Sequence, residues 1–418
     1  MNKIIIHLDM NSYYATLEQQ AYPNLRGKPI GVAGKGKGER TVIAGASIEA
    51  KKLGVKGAMS SWEALKICPS LIIIPANYER YSFVSKRIFN MLERFSPKVE
   101  IFSIDEAFIE LPATIGWDGA EKIAKQMKQL ISKQIGEWVT CSIGISYGKT
   151  LAKLASELQK PDGLVVIKPE NFRAIAKITR IEELCGIGWR IGPRLNQIGV
   201  RTIAELGDIP KQILTTIFGE FTGSWLHRIG NGVDDNIIRS FHGLDREKSV
   251  GHSYTVPRDL TNIGDTLRVA LLLSERIGVR LRRKELIGKT ISVYIHFNDR
   301  TIWAESKIQP SYICDGLAIY EAAKRIIDNI PYPKPIRLVG ISISNLVSQE
   351  QITQPLFTIE QKKIKLTNSV DKINERYGEF TVFRSSLAKI KQRIFNLPDG
   401  RNKRLFVPNA TPFMKRLT

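Results

Sequence analysis

The sequence predicts a multidomain α+β protein, and three observations support this fold class. With 418 residues, the chain is too long for one ordinary hydrophobic core, so two to four domains are expected. Apolar runs typical of strands alternate with helical patterns in residues 1–168. After a short helix-rich stretch, a second mixture of helix and strand patterns follows in residues 258–347.

The first predicted element is a strand over residues 3–10, which are mostly apolar and β-branched at their start. This run ends at Asp9, and the helical pattern SYYATLEQQA (12–21) follows at once. A strand, a turn and a helix in direct succession leave Asp9 at the end of a strand, which is a frequent position for catalytic groups.

A second acidic position occurs in FSIDEAFIEL (102–111), a predicted strand with Asp105 and Glu106 inside an apolar stretch. An acidic pair of this kind is usually a strand end that meets solvent. Asp9 favours another interpretation, because three carboxylates on two adjacent strands can hold two divalent cations, with the backbone carbonyl of Met10 as a further ligand. Such hard oxygen ligands suit Mg²⁺, and a pair of ions is typical of phosphoryl transfer.

The remaining elements before residue 168 continue the alternation. We predict a Gly/Lys-rich loop at 34–40, strands at 71–75, 99–111 and 139–148, and helices at 78–95, 118–136 and 149–163.

In residues 183–209, two short helical patterns flank Gly186 and Gly188, which predicts a helix-hairpin-helix. Backbone N–H groups of such a hairpin, helped by a helix N-terminus, can bind one phosphate. The alternative is a tight turn between two helices without a ligand.

The part of the chain after residue 241 is predicted to contain a linker, a folded unit and a tail. Residues 242–256 are polar without strong periodicity, so we expect a linker there. Residues 258–347 combine two helices with alternating strands into a compact α+β unit. The last 68 residues hold 14 Lys and Arg against 5 Asp and Glu, and we expect the end of this basic tail to be flexible.

The composition is strongly basic, with 62 Lys and Arg against 41 Asp and Glu and a net charge of +21. This balance favours a polyanionic partner, with a membrane surface as the alternative. No apolar run approaches the roughly 20 residues of a spanning helix, and the first ten residues lack the apolar region of a signal peptide. The four scattered cysteines have no metal-site spacing and suit a reducing compartment. We therefore expect a cytoplasmic protein without a membrane segment.

Six segments occur along the chain in this order: HLDMNSYYATLEQ (7–19), LRGKPIGVAG (25–34), ASIEAKKLGVKGAMS (46–60), FSIDEAFIEL (102–111), SIGISYGKTLAKLASELQKPDG (142–163) and CGIGWRIG (185–192). Together they resemble the Y-family translesion DNA polymerases, in particular the bacterial polymerase IV type. The resemblance covers about residues 1–350. It implies a right-hand polymerase with a palm, small fingers, a helical thumb and an α+β little finger.

The resemblance also implies where these domains lie. We expect the palm at 1–14 and 75–168, the fingers at 15–74, the thumb with its helix-hairpin-helix at 169–241, the linker at 242–256, the little finger at 257–348 and the basic C-terminal tail at 349–418. In the palm, Asp9, Asp105 and Glu106 match the family's catalytic metal ligands. Met10 matches its carbonyl ligand, and the implied cofactor is two Mg²⁺ ions in one active site.

For nucleotide binding, Tyr14 matches the family's steric gate, an aromatic ring that collides with a ribose 2′-OH, and Tyr13 lies beside it. The alternative is that both rings pack on one face of a helix. Lys160 matches a lysine that contacts the triphosphate, and a solvated helix end is its alternative.

The fingers depart from the family pattern. Ile48 and Lys51 replace a Tyr and an Arg that hold the phosphates in many members. Lys51 can supply only a point charge, and Ser47 is expected to substitute in part.

For DNA binding, the basic charge of the surrounding chain favours phosphate contacts by the hairpin residues Gly186, Ile187 and Gly188. Arg282 and Arg283 belong to a basic run that is either a solvated face or a contact to the DNA backbone. Gln354–Phe357 loosely resembles a sliding-clamp peptide, although it is one residue short. We expect the protein to be a monomer.

The function implied is template-directed DNA synthesis of low fidelity in translesion DNA synthesis, with dNTPs added to a primer 3′-OH on primer-template DNA. Two rivals share part of this pattern. A nucleotidyl cyclase-type palm enzyme also has paired acidic metal ligands, but the hairpin, the little-finger unit and the charge argue against it. A non-catalytic DNA-binding protein would leave the acidic triad without a role.

Overall fold

The computed structural model describes residues 3–34, 40–234, 237–239, 247–330, 334–351 and 358–388. These residues form two compact units, which meet in sequence near residue 245. Each unit has its own hydrophobic core. Among the helices of these residues, none combines the length and the hydropathy needed to cross a lipid bilayer.

The first unit alternates strands and helices up to residue 167 and is helical afterwards. Its strands are β1 (Lys3–Met10), β2 (Ile30–Ala33), β3 (Ile43–Ala46), β4 (Ile72–Pro75), β5 (Val99–Ile101), β6 (Glu106–Pro112), β7 (Cys141–Ser146) and β8 (Leu164–Ile167). Its helices are α1 (Tyr13–Ala21), α2 (Ile48–Lys52), α3 (Ser61–Ile67), α4 (Tyr78–Leu92), α5 (Gly116–Gln134), α6 (Lys149–Glu157), α7 (Pro169–Ile178), α8 (Gly192–Gln197), α9 (Ile203–Asp208), α10 (Lys211–Phe218) and α11 (Glu220–Gly230).

The central sheet has the strand order β5-β6-β1-β7-β8, with β1 antiparallel to both β6 and β7. Successive side chains of a strand point to opposite faces of the sheet. On one face of β1, Ile4, Ile6 and Leu8 join the core formed with α4 and α5. On the other face, Ile5 packs with Ala152 of α6. His7 and Asp9 follow Ile5 on this second face and therefore lie on the side of α6.

A smaller sheet of order β3-β2-β4 forms a separate layer with α2 and α3. Its core is built from small and aliphatic residues, among them Ala33, Ile43, Ala46 and Leu71. The helices α7 to α11 pack around a further core that includes Leu195, Leu206, Leu214 and Leu226. These layers lie in the ranges where the fingers and the thumb are expected.

The second unit contains β9 (Ser249–Leu260), α12 (Ile263–Arg283), β10 (Leu286–Phe297), β11 (Ile302–Ile313), α13 (Gly316–Ile327), β12 (Ile336–Ser344), β13 (Val347–Ser348) and α14 (Thr358–Tyr377). Its sheet has the order β11-β10-β12-β9 and is antiparallel throughout. Helices α12 and α13 contribute to the core of this sheet through apolar residues such as Leu273, Ile277 and Ile326. The unit therefore has the α+β character that the sequence predicts for the little finger.

Strands β2, β3 and β8 were not predicted from the sequence, and four further segments differ from the prediction. Residues 99–111 form two strands, β5 and β6, because residues 102–105 make a turn in which Phe102 N and Ser103 N both donate to the Glu106 carbonyl. The helix predicted at 149–163 ends at Glu157. Within the expected linker (242–256), residues from Ser249 onward belong to β9. The expected tail (349–418) contains the helix α14.

The segment after α14 packs on α12. Phe380 and Leu387 are buried together with Leu271 and Leu272 of that helix. The sequence predicts a charged tail here, yet Phe380, Phe383 and Leu387 contribute apolar side chains to the second unit.

His252 on β9 lies between two arginines of α12. Its Nδ1 accepts a hydrogen bond from Arg280 Nη2 at 2.8 Å, and its Nε2 is 3.5 Å from Arg276 Nη1. Burial and the two guanidinium groups lower the pKa of His252 to about 3. Because an ordinary histidine has a pKa of 6.5, the unfolded chain binds this proton at a higher pH than the folded unit does.

We expect this histidine to make the second unit less stable as the pH falls from about 6.5 toward 3. The loss should amount to about 1–2 kcal/mol at pH ~5, since one pKa unit corresponds to about 1.4 kcal/mol. Amide hydrogen exchange of β9 and β12 as a function of pH measures it. His252→Gln should remove this part of the pH dependence, whereas His296→Gln on β10 should keep it. Equal pH profiles for wild type and His252→Gln would contradict the assignment of this stability loss to His252.

Candidate active site

The three acidic residues Asp9, Asp105 and Glu106 lie together at one end of the central sheet. Asp9 on β1 is the direct register partner of Glu106 on β6. Asp105 lies in the turn before β6, and its backbone carbonyl accepts a hydrogen bond from Met10 N at 3.0 Å. Directly paired residues of an antiparallel ladder place their Cβ atoms about 4.5–5.5 Å apart on one face. The strand pairing itself therefore brings carboxylates from two strands together.

Burial and mutual repulsion oppose the negative charges of Asp9 and Asp105. Asp9 is 8% exposed, and burial and the charge of Glu106 raise its pKa against the effect of Lys160. Burial also raises the pKa of Asp105 to about 6, with Asp9 and Glu106 adding to the shift. A hydrogen bond from Ser103 Oγ to Asp105 Oδ1, at 2.5 Å, opposes it. Both carboxylates would consequently be stabilised by a cation.

Glu106 has the opposite electrostatic situation. Burial disfavours its charged form, but hydrogen bonds from His7 and Lys153 outweigh this and lower the pKa of Glu106 to about 2. His7 Nε2 is 3.2 Å from Glu106 Oε2, and Lys153 Nζ contacts the same oxygen. Glu106 is therefore held as a carboxylate near neutral pH.

Lys160 and Lys51, both predicted to bind the nucleotide, lie beside this acidic cluster. Lys160 Nζ is 3.0 Å from Asp9 Oδ2 and 2.6 Å from Glu157 Oε1. Lys51 is on α2, and partial burial together with the charge of Lys160 lowers its pKa. The arrangement offers two positive charges next to the carboxylates, where a triphosphate would need them.

The acidic cluster fits an oxygen-ligated divalent cation. His7, Asp9 and Glu106 each offer one potential ligand atom, and these three atoms lie within 4.8 Å of one another. They form the group of potential metal ligands in the part of the chain that the structure describes. His7 is fully buried, and its two ring nitrogens contact Ser156 and Glu106, so the carboxylates are the accessible ligands. Carboxylate oxygens are the donors that Mg²⁺ prefers.

Sequence reasoning did not identify His7 or Lys153. His7 precedes Asp9 by two residues, so the two side chains share one face of β1, and this spacing was the signal for it. Lys153 contacts Glu106 from α6, and no local sequence signal connects residues that are 47 positions apart.

Tyr13 and Tyr14, predicted at the nucleotide, differ in their surroundings. Tyr13 is 2% exposed, and its hydroxyl donates to the Tyr81 carbonyl at 2.7 Å. Its ring therefore belongs to the core, and its predicted contact to a nucleotide is not supported. Tyr14 is half-buried, with its ring centroid 4.9 Å from that of Tyr81. A Cβ on Gly45 would come within 3.1 Å of the Tyr14 ring, so this glycine leaves room for it.

The expectation that Ser47 binds the nucleotide is also not supported. Ser47 is fully buried at the start of α2. Its Oγ accepts hydrogen bonds from Ile30 N and Ala50 N and donates to the Lys28 carbonyl. The hydroxyl is therefore a helix cap and cannot reach a ligand without breaking these bonds.

The predicted hairpin Gly186-Ile187-Gly188 is a turn that precedes α8. Gly186 has a φ of +106°, and a Cβ there would lie 2.8 Å from the Trp225 ring, so this position requires glycine. Ile187 is buried, and its N–H donates to the Leu184 carbonyl, which removes it as a phosphate ligand. Gly188 is exposed with open space around it.

Arg282 and Arg283 of α12 both contact acidic residues of α14. Arg282 forms a two-bond ion pair with Asp371, at 2.6 and 2.9 Å, and is 12% exposed. Arg283 Nε is 2.9 Å from Glu375 Oε1, and these side chains are 32% and 50% exposed. A DNA phosphate would have to displace a carboxylate from either arginine. Gln354–Phe357, the predicted clamp peptide, lies outside the described residues.

Comparisons with known proteins match three parts of the chain to family models. Residues 8–157 match the impB/mucB/samB family, and residues 247–356 match the C-terminal domain of the same family. Residues 182–234 match a model described as the thumb domain of DNA polymerase-iota.

Similar proteins are found among curated sequences and solved structures. The chain is 34% identical to DNA polymerase IV of Oceanobacillus iheyensis over 90% of both chains. It is 33% identical to DNA polymerase IV of Moorella thermoacetica, over 91% of this chain and 95% of the relative. A Y-family DNA polymerase chimera of Dbh and Dpo4 matches with a TM-score of 0.73 and 25% identity, over 82% of this chain and 99% of the chimera.

These matches and the acidic sheet end define a nucleotidyl-transferring enzyme, a DNA-directed DNA polymerase. Within that class, the chain belongs to the Y family of polymerases, with relatives of the polymerase IV type. The family and the right-hand fold class predicted from the sequence are therefore confirmed. Low-fidelity, translesion DNA synthesis follows at the level of the family, and members of this family are generally metal-dependent.

Proposed function

We propose that the acidic cluster is the catalytic centre of this polymerase and that it holds two Mg²⁺ ions during nucleotide addition to a primer 3′-OH. The proposal rests on one observation, the register pairing of Asp9 with Glu106 next to the turn that contains Asp105. Met10, whose N–H is hydrogen-bonded to Asp105, would add its backbone carbonyl as a ligand. Bound ions would activate the primer hydroxyl and neutralise the charge on the triphosphate.

The protein's own residues mainly position the reactants. Asp9 and Glu106 are fixed by β-sheet pairing, so they need little rearrangement when substrate arrives. Lys160 and Lys51 would pair with phosphate oxygens, and Lys160 would then exchange Asp9 for the triphosphate. Orientation of the primer terminus toward the α-phosphate accounts for much of the rate enhancement in such reactions.

Low selectivity is consistent with the residues of β3 near Tyr14. Ala44 and Gly45 are small and partly accessible, whereas Ala46 is buried in the sheet and Ser47 is buried at the start of α2. Small accessible residues leave volume above a template base, so shape contributes little to mismatch rejection. A difference in size or shape alone lets a binding pocket discriminate between two substrates by only about 1–3 kcal/mol of free energy.

The basic charge of the chain would attract DNA. The exposed hairpin glycines Gly186 and Gly188 would lie against the sugar-phosphate backbone of the DNA. A cytoplasmic, monomeric enzyme with a sliding-clamp contact at Gln354–Phe357 remains our proposal. It is supported by the resemblance to bacterial polymerases and by the four cysteines, all of which are free thiols.

Primer extension tests the catalytic assignment. Glu106→Gln should reduce extension by at least about 10³-fold while primer-template affinity changes less than about three-fold, because the loss concerns metal-assisted chemistry. Glu110→Gln is the matched control, since Glu110 is on the same strand and pairs with Lys98 at 2.5 Å. Near wild-type extension by Glu106→Gln would refute the catalytic role.

A second experiment tests Tyr14 as the steric gate. Tyr14→Ala should raise the kcat/KM for ribonucleotides relative to that for deoxynucleotides by about 10²-fold or more, because the ring would otherwise collide with the 2′-OH. Tyr13→Phe, which removes only a core hydroxyl, serves as the control and should leave the ratio unchanged. An unaltered ratio in Tyr14→Ala would assign Tyr14 to the core.

The two arginines of α12 should respond differently in DNA binding. We expect Arg283→Gln to reduce the salt dependence of primer-template binding by about 0.9 in log K per log salt, the value for one phosphate contact. Arg282→Gln should leave this slope unchanged but destabilise the second unit by about 2–4 kcal/mol, because Asp371 loses its partner. Binding isotherms over a salt series measure the slope. If both variants reduce the salt dependence of binding by the same amount, Arg282 leaves Asp371 to contact a DNA phosphate, which would contradict this prediction.

A further inference from the structure

Glu106 is contacted by two side chains on the side of the central sheet that α6 covers, His7 of β1 and Lys153 of α6. His7 is fully buried, with Nε2 3.2 Å from Glu106 Oε2 and Nδ1 2.7 Å from Ser156 Oγ. Lys153 also contacts Glu106 Oε2. Both contacts therefore reach the same carboxylate oxygen.

The partners of the two His7 ring nitrogens determine what His7 can donate. Ser156 Oγ lies 2.7 Å from His7 Nδ1 and 2.7 Å from the Lys153 carbonyl, but a hydroxyl has one proton. Ser156 donates that proton to the Lys153 carbonyl, so it does not set the tautomer of His7. The Glu106 carboxylate can only accept, and its 3.2 Å contact with His7 is a hydrogen bond when Nε2 carries a proton. That N–H then points at Glu106 Oε2, where it can donate.

A polar ring at this place in β1 is costly unless it has a specific partner. The previous residue on the same face, Ile5, is apolar and packs against Phe108 and Ala152. An apolar side chain would fill the position of His7 equally well as far as burial is concerned. The imidazole is therefore explained by its two hydrogen bonds, one of which ends on Glu106.

We propose that His7 is a positioning residue that fixes Glu106 through Oε2 and thereby holds the carboxylate in the orientation in which it would bind the metal ions. The inference deepens the proposed function, since it rests on Glu106 as a metal ligand. Ser156 Oγ lies 2.7 Å from Nδ1 on the other side of the ring, and Lys153 adds a positive charge at Glu106 Oε2. Partners of this kind behind a ligand commonly change metal affinity by about 10–100-fold.

Two amide variants separate positioning from packing. A glutamine amide nitrogen reaches about as far as His Nε2 and can still donate to Glu106, whereas an asparagine amide reaches only the position of Nδ1, near Ser156. We therefore compare His7→Gln, His7→Asn and His7→Leu. Thermal unfolding of the full chain identifies any variant that fails to fold.

The measurement is Mn²⁺ binding to a stalled complex of full-length protein, dideoxy-terminated primer-template and the correct dNTP, followed by the electron paramagnetic resonance of free Mn²⁺. His7→Asn and His7→Leu should raise the Kd for Mn²⁺ by about 10-fold or more, and His7→Gln by less than about three-fold. The Mg²⁺ concentration for half-maximal extension should shift in parallel, while primer-template affinity stays constant.

Equal Mn²⁺ affinities for His7→Asn and His7→Gln would overturn the proposal. Glu106→Gln separates this failure from a failure of the proposed function. If Glu106→Gln binds Mn²⁺ as tightly as wild type, Glu106 is not a ligand; if it binds weakly while His7→Asn does not, only the role of His7 is wrong. Should His7→Asn not fold, Ser156→Ala replaces it, with an expected rise in Kd of about three-fold or more, and an unchanged Kd would count against the proposal.

Discussion

The pairing of β1 with β6 is the constraint on which the site depends. Asp9 lies opposite Glu106 because seven consecutive residue pairs hold the two strands in one register. A slip of one residue would move every side chain of β1 to the other face of the sheet. Such a slip would move the polar His7 and Asp9 into the apolar core that Ile6 and Leu8 now fill, which prevents it. The hydrophobic core thus also fixes the separation of the carboxylates.

The acidic cluster is unfavourable by itself and is stabilised by its surroundings. Asp9 and Asp105 have raised pKa values, mainly because of burial. Lys153 of α6 contacts Glu106, and Lys160 of the turn that follows α6 contacts Asp9. These ammonium groups offset part of the repulsion, and cations bound with substrate would do the same more strongly. Unfavourable burial and repulsion of charged side chains are usual at functional sites, where function and stability conflict.

How much of the site could be predicted from the sequence depends on how far apart the interacting residues are. Asp9 and Glu106 were identifiable because each is near a strand end. The hydrogen bonds of Ser47 to Lys28 and Ile30 and that of Tyr13 to Tyr81 were not, because these partners are distant in sequence. Much of the fold was predictable from hydrophobic periodicity, but β9 was missed. It is an edge strand with mixed burial, so its alternation of apolar and polar residues is weak.

The ion pairs between α12 and α14 have a consequence for any shortened form of the protein. The matched C-terminal domain ends at residue 356, before the first residue of α14. A chain cut there would uncover Leu271 and Leu272, which Phe380 covers in the intact unit. It would also remove the carboxylates of Asp371, Glu375 and Glu379, which pair with Arg282, Arg283 and Arg276 of α12. Such a fragment would aggregate and adhere to nucleic acid unselectively, so its tight binding would say little about the substrate preference of the whole enzyme.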